Sequence, residues 1–172
     1  MGKIKIEDFL KKYIPKKKGK ILDLEGNIIG EHKGAQFYTI GQRHIDAKIK
    51  FPPPTGGSKS QKDRQPYYVA QKDKKTNTLI IAEGNENPAL YKKEVELVNI
   101  NLSDEKLAKS KKTKIPVMAR VRYRQPLFPA SLIIDKSSVK LVFAKPVKFV
   151  APGQSAVFYD KKGRLLGGGV II

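Results

Sequence analysis

From Glu94 onward the sequence is a series of short runs in which apolar and polar residues alternate, each cut off by a turn rich in Pro or Gly. The runs are Glu94–Asn101, Val117–Arg124, Ser131–Asp135, Val139–Phe143, Ser155–Tyr159 and Leu165–Ile172. A period of two marks a strand with one buried face. Parallel pairing would need a helix-length crossover, which no segment of this half supplies. Six short antiparallel strands hide their edges by closing on themselves, so the expectation is a six-stranded β-barrel.

The first half reads as a second small β domain. Lys20–Leu24 and Ile28–His32 flank Glu25-Gly26-Asn27, and Tyr67–Asp73 and Thr78–Ala82 flank Lys74–Asn77, giving two hairpins. Ahead of them, Ile6, Phe9, Leu10 and Tyr13 recur at helical spacing and Pro15 ends the stripe, so a short helix opens the chain. Phe51–Gln65 holds Pro, Gly, Ser and Lys with almost nothing apolar, as an exposed loop would. Its Thr55–Ser60 stretch lacks the spacing and the strand–helix frame of a phosphate loop. Ser103-Asp104-Glu105 reads as a helix start before the soluble run Lys109–Lys114. The chain is therefore mainly β, with domains at 1–93 and 94–172 and a loop at 51–65.

Charge narrows the function classes. Of 172 residues, 35 are Lys or Arg against 16 Asp or Glu, a net charge of +19. The excess runs through the N-terminal segment, Ser103–Gln125 and Lys136–Ile172. Such a field points to a polyanionic partner, although a Lys-rich surface also arises from growth-temperature bias alone. There are no cysteines, which excludes disulfides and thiol chemistry within these residues. No apolar run reaches the roughly 18 residues of a membrane span, and the N-terminus shows no secretory signal, so a cytoplasmic location is expected. His32 and His44 have no metal-ligand spacing, and no catalytic constellation can be assembled, so neither a catalytic nor a metal site is expected.

Val117–Arg124 is the most informative run. In a continuous strand, Val117, Ala119, Val121 and Tyr123 face the core, while Met118, Arg120, Arg122 and Arg124 form an outer ladder. Guanidinium groups at that interval would track a phosphate backbone, with Tyr123 at the rim to stack a base. A solvated edge strand carries the same pattern. Gln154 follows a Pro-Gly turn, and Gly167-Gly168-Gly169 interrupts an apolar strand, implying close approach by a neighbouring strand or a ligand.

Taken in series, Phe9-Leu10, Tyr13-Ile14-Pro15, Gly30-Glu31-His32, Gly34, Tyr38–Arg43, Tyr68-Val69, Asn77, Arg122–Gln125, Pro152–Tyr159 and Leu166–Ile171 resemble the C-terminal half of the bacterial-type tRNA-specific 2-thiouridylases. The resemblance runs over essentially the whole chain. It implies a central β domain followed by a barrel like those of translation factors. It also implies an enzyme that adenylates the wobble uridine of Glu, Gln and Lys tRNAs and replaces its oxygen with persulfide sulfur. By the same resemblance, Arg122, Tyr123 and Gln154 contact tRNA. Arg120, Arg124, Gln125 and Lys114 are further candidate contacts, as are Gln42 and Arg43 of the Gly-Gln-Arg motif.

The family's Ser-Gly-Gly-x-Asp-Ser nucleotide loop and its two cysteines are not found in these residues. The expectation is thus a tRNA-binding part, inactive alone and holding no cofactor, with ATP, Mg²⁺ and the sulfur-donor protein handled by a separate catalytic domain. The rival readings are a ribosome-assembly or translation-factor-like RNA module without tRNA preference, and a stand-alone enzyme. Two departures from the family stand out: Gly41-Gln42-Arg43 continues as His44-Ile45-Asp46, and the 51–65 loop is long. Deleting Thr55–Arg64 is expected to leave the melting temperature nearly unchanged in a thermal melt; a large drop would show that the segment packs.

Overall fold

The computed structural model describes residues 13, 17–45, 48–49, 65–103, 114–135 and 138–172. The helix expected over Ile6–Ile14, nearly all of the 51–65 loop, Asp46, and the helix start after Ser103 lie outside the described residues, as does most of the Lys109–Lys114 run. The chain divides into two compact units, Met1–Leu90 and Tyr91–Ile172.

In the first unit, β1 (Gly19–Leu22), β2 (Ile28–His32), β3 (Lys48–Ile49), β4 (Tyr67–Asp73) and β5 (Thr78–Glu83) form one sheet in the order β3-β2-β1-β5-β4. Both expected hairpins are present. The two-residue strand β3 and the parallel pairing of β1 with β5 were not anticipated from the sequence. Asn77, the last residue of the β4–β5 turn, explains the parallel contact. It sits at φ 53°, in the left-handed region that asparagine tolerates. Its side-chain amide donates to the carbonyls of Lys17 and Lys18, both at 2.9 Å, and its Oδ1 accepts the Ala35 N–H at 2.9 Å. One turn residue thus ties the chain entering β1 to the β4–β5 hairpin.

The stretch after β2 makes a single 3-10 turn at Ala35–Phe37 and then docks on β4. Gly41 donates to the Val69 carbonyl at 2.8 Å, and Val69 donates back to Gln42 at 3.1 Å. Ile21, Ile29, Ala35, Tyr38, Val69, Leu79 and Ile81 form the core. Beside it His32 is buried: its Nδ1 accepts the Gly34 N–H at 2.9 Å, leaving Nε2 to donate to the Asn77 carbonyl at 3.2 Å. Both ring nitrogens are committed to the fold in the neutral form.

In the second unit, β6 (Tyr91–Leu102), β7 (Lys114–Arg120), β8 (Phe128–Ile134), β9 (Val139–Lys148), β10 (Ser155–Tyr159) and β11 (Leu165–Ile171) close into an antiparallel barrel in the order β10-β11-β6-β9-β8-β7. The expected six-stranded barrel is therefore the observed one, around a core that includes Val117, Ala119, Val121, Leu132, Leu141, Phe143, Ala156 and Phe158. The β11 glycines are explained by neighbouring strands. A Cβ on Gly167 would lie 2.3 Å from the Asn101 carbonyl oxygen, and one on Gly168 would lie 2.8 Å from that of Ala156. Among the described residues no helix is long and apolar enough to cross a membrane.

One expectation is corrected: β7 ends at Arg120, so Val117–Arg124 is not a single strand. Gln125 turns the chain away. Its Oε1 accepts the Val121 N–H at 3.3 Å, and its own N–H closes a four-residue turn on the Arg122 carbonyl at 3.2 Å. Arg124 takes φ 65° within that turn, and Pro126 follows without an N–H to offer a ladder. Val121 stays buried as expected, while Tyr123 is 82% exposed.

Burial holds the His32 imidazole below its ordinary value of 6.5. Below that pH the unfolded chain takes up a proton that the native state refuses, so this contribution to stability is complete above it and is lost as pH falls. Thermal melts between about pH 7.5 and 5.5 are expected to show the first unit weakening with acidification. His32→Gln should be less stable at neutral pH and show a flatter dependence over the same range.

Candidate functional site

Where β7 gives way to its turn, the barrel carries a cleft of 530 Å³ lined by Arg120, Val121, Arg122, Tyr123, Gln154, Ser155 and Val157. Two loops distant in sequence meet there, because β7 and β10 are the pair that closes the barrel: Val157 lies opposite Arg120 and Phe158 opposite Ala119. The Pro152-Gly153 turn ahead of β10 brings Gln154 in beside the β7 exit, with Gly153 at φ 86°.

The three arginines rest on aromatic rings. The Arg120 guanidinium is 5.5 Å from the Tyr159 ring centroid and donates to the Tyr159 hydroxyl at 2.9 Å. Arg122 lies 5.9 Å from the Phe149 ring and Arg124 5.4 Å from that of Tyr123. All three distances are within cation–π range. Among the described residues no carboxylate pairs with any of them, so none of these residues neutralises their charge. The cleft therefore offers unpaired guanidinium donors beside an exposed phenol ring, a combination that takes phosphates and flat bases.

Gln154 adds a neutral group. Its main chain is spent in the fold, donating to Ala151 at 3.2 Å and accepting from Ile171 at 2.8 Å. Its side-chain Oε1 is buried with no hydrogen-bond donor reaching it. An unmet buried acceptor costs about 1–3 kcal/mol, a cost that turning the carboxamide toward the cleft that Gln154 lines would relieve.

The structure thus gathers Arg120, Arg122, Tyr123 and Gln154 around one cleft and places Arg124 and Gln125 on the turn that borders it. Lys114 is at the far end of β7, about 20 Å along the strand and outside the cleft. Gln42 and Arg43 belong to the first unit. There the Gln42 amide serves its own turn, accepting from Thr39 N–H at 3.1 Å and donating to the His44 carbonyl at 2.8 Å, while Arg43 is exposed. Sequence reasoning missed Tyr159 and Phe149, the rings that hold Arg120 and Arg122. Tyr159 was legible as an outward residue of β10, but Phe149 stands at φ 57°, which nothing in its side chain signals. Among the described residues no group of three or more His, Asp or Glu side chains fits a metal ion.

Two family models match the chain. Residues 7–83 match the tRNA methyl transferase PRC-barrel domain and residues 92–171 the aminomethyltransferase beta-barrel domain. Similar curated proteins include the tRNA-specific 2-thiouridylase MnmA of Shewanella amazonensis, 38% identical over 172 residues. Those of Blochmanniella pennsylvanica and Francisella philomiragia are 39% and 38% identical over 173 residues each. The alignments cover 99%, 99% and 100% of this chain but 42%, 44% and 45% of those proteins, so the chain spans less than half of their length.

Replacing Gln154 by Met removes the unmet acceptor while keeping the side chain's reach. Denaturant unfolding is expected to show Gln154→Met more stable by about 1 kcal/mol, the sign expected when a residue serves a ligand at the expense of the fold.

Proposed function

We propose that this chain, which belongs to the tRNA-specific 2-thiouridylase family, is the tRNA-binding part of such an enzyme. It grips the anticodon arm while the wobble uridine is thiolated by a catalytic domain from the rest of the family's length, where ATP, Mg²⁺ and the sulfur donor act. The observation that carries the reading is the cleft at the β7–β10 closure, with its uncompensated arginines, its exposed Tyr123 and the Gln154 carboxamide at its wall.

Each component has a distinct task. Arg120 and Arg122 hold phosphate oxygens, and their underlying rings keep the guanidinium planes presented outward. Tyr123 offers a face to an unstacked base, as single-stranded RNA recognition requires. Gln154 accepts from a ribose hydroxyl or a base N–H. The lysines spread over the chain contribute long-range, sequence-independent attraction. Glu, Gln and Lys tRNAs are the proposed substrates through the family, since no residue described here selects among them.

The test is binding to an unmodified Glu-tRNA anticodon stem-loop and to a plain hairpin of equal charge, each across a salt series. The reading expects a preference for the anticodon arm that survives high salt. Arg122→Ala should weaken that binding by about 1–3 kcal/mol and lower the salt slope by about one. Equal, steeply salt-dependent binding to both RNAs would instead favour an RNA module without tRNA preference.

A further inference from the structure

Beside the arginine cleft, and sharing Ser155 and Val157 with it, runs a second groove of 310 Å³. Among the described residues its polar walls carry no charge: Asn99, Asn101, Ser103 and Ser155 stand over a floor that includes Gly168. The register explains the form of the groove. On the outer face, Arg120 of β7 lies opposite Val157 of β10, Val157 opposite Gly168 of β11, and Gly168 opposite Asn101 of β6. This lateral row starts with a cation, drops to a glycine and ends on a carboxamide about 14 Å away.

The position of the asparagines is built into β6. Val95 and Leu97 point into the barrel, as do Ile100 and Leu102, so the inward phase slips by one residue between them. The slip is a bulge where Val98 and Asn99 both face outward and Asn99 takes φ 49°. A bulge of this kind re-aims side chains. Here it puts Asn99, Asn101 and Ser103 together on the exposed face. Among the described residues no hydrogen bond occupies the side chains of Asn99, Asn101 or Ser103.

We infer that this groove is a subsite for one or two unpaired nucleotides of the bound RNA, entered from the phosphate held at Arg120 and read at the ribose or base edge by Asn99 and Asn101. The inference rests on the proposed RNA-binding function and extends it from phosphate gripping to selection of unpaired RNA. A volume near 300 Å³ is at the lower end of small-ligand sites. Carboxamides suit base edges, because each presents a donor and an acceptor side by side. No cation lines the groove among the described residues, which separates this contact from the electrostatic one next to it.

The test uses the full chain, a stem-loop RNA and a blunt duplex RNA with the same number of phosphates, measured over a salt series. The variant is Asn99→Gly with Asn101→Ala, glycine being chosen to keep the positive φ, and its melting temperature is checked against the parent. The expected result is a roughly tenfold loss of stem-loop affinity with an unchanged salt slope and no loss on the duplex. Equal losses on both RNAs, or no loss on either, would overturn the subsite. Arg122→Ala separates the two ideas. If it weakens binding and lowers the slope while the asparagine variant does nothing, the RNA reading stands and the subsite falls. If the parent chain binds neither RNA, both fall. If the double variant melts early, Asn101→Ser alone, which leaves the bulge intact, must show the same stem-loop-specific loss or the subsite is rejected.

Discussion

Inside the six-stranded ring, β11 lies so close to both of its neighbours, β6 and β10, that side chains no longer fit everywhere. At Gly167 and Gly168 the carbonyl oxygens of Asn101 and Ala156 occupy the space a Cβ would need. Glycine at these positions lets β11 lie between β6 and β10, and the same strand order sets β10 beside β7, which brings the Pro152-Gly153 turn to the exit of β7. The cleft is a product of closure: neither loop alone would juxtapose Arg122 with Gln154.

The first unit depends on a smaller device of the same kind. Asn77 and His32 form a hydrogen-bonded knot in which one left-handed asparagine serves the approach to β1, the 3-10 turn and the buried imidazole. Side-chain amides and imidazoles can replace main-chain partners where no ladder exists, so irregular segments become fixed without secondary structure. The Gly41-Gln42 segment is held in the same way, by main-chain exchange with Val69 and by the Gln42 amide. This gives Gly41 and Gln42 of the Gly-Gln-Arg motif a structural role within the first unit.

The barrel was legible because alternation is a direct imprint of burial, and Val117, Ala119 and Val121 face inward just as the pattern dictates. The three-arginine ladder was not legible. Whether a strand continues past Arg120 is decided by Gln125 capturing the Val121 N–H, a competition between side chain and ladder that residue periodicity does not record. The same holds for β6, where a one-residue slip at Asn99 changes which side chains face out. The parallel β1–β5 contact escaped for another reason: pairing between strands far apart in sequence leaves no local trace. For the candidate site, the arginines, Tyr123 and Gln154 came from residue type and family motif, whereas their supporting rings needed the fold.

Those supporting rings have a consequence for how quickly the surface can exchange partners. An arginine tied to a carboxylate must first lose that partner before it can take another anion, and an arginine free in solvent must be ordered as it binds. Arg120, Arg122 and Arg124 face neither hurdle, since a ring narrows the side chain's excursions without consuming its charge. Among the described residues, taking up an anion then requires no ion pair of these arginines to break. The guanidinium charge is thus held in place by aromatic surface and left available to an anion.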